Sequence, residues 1–184
     1  MVNNEIAIIE QACRGDKTAL ATLYQQHKTA LYTYIYYRVA GDAATADDLT
    51  AELFSRMVAK IHQFQPRKRP FRAWLYTIAR NLVHDHYRTE QREAQLARHD
   101  IMPTATPDPE IAVQDGLETD DLLHALRQLT NEQQEVVILR FIEGCSVAET
   151  AVALGKRKGA IKTMTRRALA SLKRVMERKG GSHV

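Results

Sequence analysis

FRAWLYTIARNLVHDHYR, residues 71–88, puts a complete apolar helical stripe and a dense polar face on one uninterrupted segment. Phe71, Trp74, Leu75, Ile78, Ala79, Leu82 and Val83 follow the i, i+3, i+4, i+7 spacing of a core-facing helix. Arg72, Arg80, Asn81, His84, Asp85 and Arg88 are left to face outward. Guanidinium, amide and imidazole groups are suited to contacts with phosphates and base edges. Taken alone, the segment is equally an ordinary amphipathic helix with a solvated face. The rest of the chain decides between the two.

At 184 residues and 45% hydrophobic content, the chain has room for one ordinary domain or two small ones. The formal charge is only +4, but it is unevenly distributed. Residues 155–179 hold Lys or Arg at 156, 157, 158, 162, 166, 167, 173, 174, 178 and 179 against one acid, Glu177. Residues 60–92 hold them at 60, 67, 68, 69, 72, 80, 88 and 92 against Asp85 and Glu90. Between 99 and 126 there is neither, while Asp100, Asp108, Glu110, Asp115, Glu118, Asp120 and Asp121 are all acidic. The pattern is two basic modules joined by an acidic connector.

Cys13 and Cys145 are too few and too far apart for a disulfide framework or a zinc site. The N-terminus, MVNNEIAIIEQACRGD, lacks the basic start and apolar core of a signal peptide, and no apolar run is long enough to span a bilayer. The expectation is a soluble, cytoplasmic protein without direct membrane insertion.

Few Gly or Pro and no alternating strand pattern predict a nearly all-helical chain. Asn4 caps a first helix over Glu5–Cys13, Asp16 a second with the stripe Leu20, Leu23, Tyr24, His27, Leu31, Tyr34 and Ile35, and Gly41-Asp42 breaks the chain. A third helix is expected from about Ala46 to Ile61, with Leu49, Leu53, Met57 and Ile61 in register. Gln65-Pro66-Arg67-Lys68-Arg69-Pro70 is a loop with a basic tip, and Pro70 suits the start of a helix at Phe71. The first module is thus four helices over 1–92. Residues 93–118, with Pro103, Pro107 and Pro109, read as an extended linker that can reach on the order of 80 Å.

The second module, 119–184, opens with a helix over Asp120–Gln128. Thr130 then starts a capping box with Gln133, and the helix Glu132–Glu143 is expected to pack through Val136, Val137, Leu139, the Arg140 stem and Phe141. Ser146 caps a short helix, Gly155 makes a turn, and a basic helix runs from about Lys158 to Arg178. A short helix, a Gly-containing turn and a longer basic helix have the form of a helix-turn-helix. With Ile161, Met164, Ala168, Leu172 and Val175 packed inward, Arg157, Lys158, Lys162, Thr163 and Arg166 project toward base edges. Arg167, Lys173 and Arg174 are better placed for phosphates.

With Asp85 and Arg88, FRAWLYTIARN resembles the region 2.3–2.4 signature of bacterial sigma-70 family factors, specifically the short extracytoplasmic-function group that keeps only regions 2 and 4. DKTALATLYQQH (16–27) resembles the start of region 2, ADDLTAELF (46–54) the region 2.2 helix, and LTNEQQEVVILRFIEGCSVAETAVALG (129–155) region 4. The resemblance implies an all-α fold of two small helical domains on a flexible acidic linker. It implies an alternative-sigma initiation factor that binds core RNA polymerase, directs it to promoters and helps open the minus-10 element.

Residue by residue, the resemblance assigns core-polymerase docking to Asp47, Asp48, Leu49, Glu52, Leu53 and Phe54. The bland alternative for Asp47 and Asp48 is helix capping. It assigns capture of the separated minus-10 strand to Phe64, Arg67, Lys68, Arg69, Arg72, Arg80, Asn81, His84 and Arg88, as expected of a basic groove with aromatic platforms. Trp74 goes to the core. It assigns duplex minus-35 recognition to Arg157, Lys158, Lys162, Thr163, Arg166, Arg167 and Arg174. Where family members often carry Pro-Val-Gly-Thr-Val, a basic residue, Ser and Arg, this chain has Arg157-Lys158-Gly159-Ala160-Ile161-Lys162-Thr163-Met164. The Arg-Lys start and Met164 bear on the base preference, not on the act of binding. An anti-sigma factor that clamps the two regions together is a further implied partner.

Two rival readings carry less. His84-Asp85-His86 with His62 suggests a metal enzyme, but side chains at i and i+2 on a helix point about 200° apart. No phosphate-binding Gly loop, nucleophile elbow or paired-carboxylate arrangement appears elsewhere, so the expectation is no catalytic site, metal, cofactor or small-molecule substrate. The other rival is a conventional helix-turn-helix regulator that never binds core polymerase. The basic 60–92 segment and the acidic connector argue against it.

Overall fold

A computed structural model describes residues 2–100 and 117–180, with side chains described for 5–96 and 120–177. Among the described residues all regular structure is helical: α1 (Val2–Cys13), α2 (Lys17–Arg38), α3 (Ala43–Lys60), a 3-10 turn (Ile61–Gln63) and α4 (Phe71–Asp100) in the first module. The second holds α5 (Leu117–Arg127), α6 (Asn131–Val137), a π-turn (Ile138–Ile142), α7 (Val147–Leu154) and α8 (Lys158–Gly180).

Side chains set most boundaries. Asp16 accepts the Ala19 amide at 2.7 Å and starts α2. Asp42 accepts the Thr45 amide at 3.1 Å, so α3 begins three residues before the expected Ala46. Asn4 lies inside α1, which starts at Val2. Both capping boxes of the second module are closed, Thr130 with Gln133 and Ser146 with Glu149. Each such cap is worth about 1 kcal/mol to its helix.

Two expectations need correction. The helix from Phe71 does not stop near Arg92 but continues to Asp100. Residues 89–96 carry no apolar stripe and are exposed, yet Glu, Gln, Ala, Arg and Leu are all strong helix formers and hold the helix by propensity. The remainder of the expected extended linker, 101–116, lies outside the described residues. The helix after Thr130 turns to π geometry at Ile138, where the Glu143 amide donates to the Ile138 carbonyl at 2.9 Å. A π-turn advances the chain by one extra residue. Ile138 and Leu139 therefore point into the core, and Phe141, expected to pack, is half-exposed at 51%.

The core of the first module is Leu23, Leu31, Tyr34 and Ile35 of α2, Leu53 and Met57 of α3, and Leu75, Ala79 and Val83 of α4. That of the second is Leu126, Val136 to Leu139, Leu154, Ile161 and Ala168. Each fully buried Leu or Ile contributes about 2 kcal/mol of apolar transfer free energy. The modules are not separate. Helix α7 lies against α4 and the π-turn against α2, joining both cores into one apolar cluster.

Candidate nucleic-acid interface

Helix α8 is positioned by its inner face and by the turn before it. Ile161 and Ala168 are fully buried, with Met164 and Leu172 packed beside them. Gly155 adopts φ +63°, the left-handed conformation that lets α7 end and α8 start at a sharp angle. Lys156 Nζ contacts Glu132 Oε1 at 2.7 Å and ties that turn to α6. This contact holds the Glu132 carboxyl below its ordinary range. Arg157, Lys158, Lys162, Thr163, Arg166, Arg167 and Arg174 are all exposed. Arg174 folds back on its own helix, its Nε donating to the Ala170 carbonyl at 3.2 Å, which suits a phosphate contact more than a base.

The loop before α4 and the start of α4 border a cavity of about 490 Å³ lined by Arg67, Lys68, Arg69, Arg72, Ile9 and Glu149, among others. The resemblance assigns Phe64 to strand capture. Phe64 is only 5% exposed, stacked on Trp74 (4.8 Å, 30°) and edge-on to Phe71 (5.2 Å, 78°). The Arg69 guanidinium lies 5.7 Å from both the Phe64 and Trp74 rings. Phe64 thus lines the cavity as part of a rigid aromatic cluster, and the cations above it are what a ligand meets first. Trp74 is in the core, as expected.

Further along α4, Asn81 is exposed and Arg88 pairs with Asp85 of its own helix at 3.0 Å. The other three expected strand contacts meet carboxylates of the second module. Arg80 Nε and His84 Nε2 each lie 3.0 Å from Glu135 Oε1. Arg72 donates to the Glu143 backbone carbonyl and lies 3.7 Å from its carboxylate. The Tyr76 hydroxyl donates to Glu143 Oε2 at 2.6 Å. Burial pushes the Glu143 carboxyl above its ordinary value, with Tyr76 and Arg72 opposing, and burial raises the Tyr76 phenol in turn. Arg38, 3% exposed on α2, donates to Gln134 Oε1 at 2.8 Å and stands 3.9 Å from Glu135.

Arg38, Tyr76, Glu135 and Glu143 were not singled out in the sequence. The only trace is Glu135 abutting the apolar run Val136-Val137-Ile138-Leu139, where a solvated acid is out of place. Nothing local tells which residues meet it.

On α3, Asp47, Asp48 and Glu52 are exposed and Leu49 is half-buried. Since Asp42 is the cap, Asp47 and Asp48 lie beyond the first turn, and capping does not account for them. Leu53 and Phe54 do not belong to this surface. Leu53 is fully buried, and Phe54 is packed edge-on to Tyr24 at 4.6 Å, because the helical period places both with Ala46, Thr50 and Met57. Beside them, Glu52 pairs with Arg56 at 2.7 Å.

A four-helix module with an acidic α3 face and a basic, aromatic-backed loop, followed by a helix-turn-helix module, defines the class of sigma-70-type factors reduced to regions 2 and 4. The family model for Sigma-70 region 2 matches residues 23–93, and that for Sigma-70, region 4 matches 119–172. The ECF RNA polymerase sigma factor BldN of Streptomyces coelicolor is 43% identical over 171 residues, covering 92% of this chain and 64% of BldN. The ECF RNA polymerase sigma factor SigL of Mycobacterium tuberculosis is 30% identical over 178 residues, covering 95% of this chain and 98% of SigL. Among solved structures, CnrH in complex with the cytosolic domain of CnrY is similar at a TM-score of 0.70 and 27% identity, over 94% of this chain and 96% of CnrH. The sigma factor RpoE of Bartonella quintana, in complex with the anti-sigma factor NepR, is similar at 0.66 and 25%, over 85% and 97%. The chain belongs to the extracytoplasmic-function sigma factors of the sigma-70 family.

Proposed function

We propose that the chain is an alternative-sigma initiation factor that works in the cytoplasm, carries no chemistry of its own and hands promoter specificity to core RNA polymerase. Region 2 spans the N-terminal module to about residue 92, with α4 extending past it, and region 4 spans 119–184. The observation that carries the reading is the outer face of α8. Arg157 and six polar or basic residues of α8 lie exposed, on and just before a helix locked from behind by Ile161 and Ala168 and fixed at its start by the Ser146 box and Gly155. Such a helix N-terminus enters a major groove, where Arg and Lys reach guanine edges.

Duplex minus-35 DNA would be read there. The separated minus-10 strand would follow the cations of residues 67–72 and the outer face of α4, with the cavity between them receiving an unstacked base. Asp47, Asp48, Leu49 and Glu52 would dock on the polymerase clamp. RpoE is described in complex with the anti-sigma factor NepR, and CnrH in complex with the cytosolic domain of CnrY. By analogy this chain takes an anti-sigma partner as well.

Run-off transcription with purified core polymerase on a genomic fragment library tests the reading. Transcripts are expected only with the factor present, and both Asp48→Arg and Lys162→Glu abolish them. A chain that binds duplex DNA yet never engages core polymerase is a conventional helix-turn-helix regulator, and the sigma reading fails.

A further inference from the structure

Two well-buried acids of the second module, Glu135 and Glu143, are aimed at the strand-reading face of the first. Glu135, 2% exposed, places one carboxylate oxygen within 3.0 Å of both Arg80 and His84. Glu143, 8% exposed, takes the Tyr76 hydroxyl and stands beside Arg72. A third acid, Glu149, lines the cavity that holds Arg67, Lys68 and Arg69. Every one of these contacts runs from region 4 to region 2. The helix α8, by contrast, turns its basic face away from the junction and stays exposed.

We propose that Glu135 and Glu143 are built-in strand mimics: in the free chain they occupy at Arg72, Arg80 and His84 of α4 the places that phosphates of the promoter single strand take, so this part of α4 is engaged while α8 stays open to duplex. The proposal rests on the assignment of α4 to the minus-10 strand. A guanidinium donates equally to a carboxylate oxygen or a phosphate oxygen, so the exchange leaves each arginine with an anionic partner. A carboxylate buried as deeply as Glu135 persists only when paired, and its partners all come from the other module. The closed state is therefore held in part by charges that a strand competes for, beside the apolar contact of α7 with α4.

Polar contacts extend the junction beyond the two acids. Arg127 reaches the Ala40 carbonyl at 2.5 Å and Arg38 reaches Gln134 at 2.8 Å. Between these groups lies a cavity of about 270 Å³, and Arg38 Nε has no hydrogen-bond partner among the described residues. Holding a duplex on α8 and a single strand on α4 at the same time requires the modules to part. On this reading, strand capture itself favours the parted state.

The test uses the full chain without polymerase. Binding of a fluorescein-labelled, randomised 12-nucleotide single strand and of a 20-base-pair duplex is followed by anisotropy, and radius of gyration by small-angle X-ray scattering. Wild type is compared with Glu135→Gln/Glu143→Gln. The double variant is expected to expand and to bind the single strand at least tenfold more tightly, with duplex affinity changed less than twofold. An expanded variant with no gain for the strand overturns the mimic, as does a variant that remains as compact as wild type. Should the double variant melt, wild type alone decides: saturating single strand must expand it, and binding without expansion overturns the proposal. Run-off transcription with the same proteins separates the two readings. Activity with core polymerase but no strand gain sinks only the mimic, whereas no activity in wild type sinks the sigma assignment.

Discussion

Mild acid is expected to destabilise this protein through one histidine. His27 lies half-buried on α2, its ring 5.5 Å from Phe71, and its Nε2 is buried with no hydrogen-bond partner among the described residues. Burial first, and the nearby Arg72 charge second, pull its pKa from the ordinary 6.5 down to about 4. A depressed histidine pKa means that the unfolded chain binds the proton more tightly than the folded one. The stability is therefore complete above pH about 6.5 and is lost as the pH falls toward 4. The full shift corresponds to about 3 kcal/mol, of which about 2 kcal/mol is gone at pH 5. For a chain of this size that lowers the melting temperature by about 4–8 °C. Urea unfolding at pH 7 and pH 5, followed by circular dichroism, is compared for wild type and His27→Leu. Wild type should lose about 2 kcal/mol more than the variant between the two pH values. Glu143, whose raised pKa acts in the opposite direction, is common to both proteins and cancels. Equal losses in wild type and variant would refute the assignment.

Further outcomes separate surface from core and test single turns. Leu53→Ala empties a fully buried site and should cost about 2–5 kcal/mol in chemical denaturation, whereas Asp48→Arg, on the same helix but exposed, should leave the unfolding midpoint within the error of wild type while abolishing polymerase pull-down. Ser146→Ala removes the acceptor of the Glu149 amide and should cost about 1 kcal/mol in denaturant unfolding. It should also weaken duplex binding, because the helix that sets the angle of α8 frays. Gly41→Ala puts a methyl 2.9 Å from Leu123 on a residue at φ +87°. The strain of about 1 kcal/mol or more should lower the melting temperature and loosen the contact of α5 with the α2–α3 turn, seen as faster amide exchange of both segments.

The elements easiest to see in the sequence were those whose signals are local. The stripe from Phe71 to Val83 needs only the helical period, and all seven of its residues are buried. Asp16, the Thr130 and Ser146 boxes and Gly155 act through atoms three or four residues away, so their spacing alone placed them. The exposed face of α8 followed from the phase of Ile161 and Ala168. Where several phases fit, the reading slipped. Leu53 and Phe54 were placed on a docking face because the resemblance names a stretch of sequence rather than one side of a helix. Phe141 was packed inward because nothing in ILRFI announces a π-turn, which is set by what Ile138 and Leu139 must fill.

Composition, period and caps by themselves determined that the chain is helical, that it carries two basic modules on an acidic connector, and which faces of α4 and α8 could meet nucleic acid. These are properties of neighbours along the chain, and a helix records them in its own repeat. Only the tertiary structure decided that Glu135 and Glu143 sit on Arg80, His84, Tyr76 and Arg72, which lie 51 to 71 residues away in sequence. It alone decided that part of one predicted nucleic-acid face, Arg72, Arg80 and His84, is engaged by acids of the other module while the face of α8 meets none of them. Coulombic pairing across such a separation leaves no periodic trace, because a carboxylate is chosen for the cation it meets in space, and that partner exists only once both modules have folded and docked.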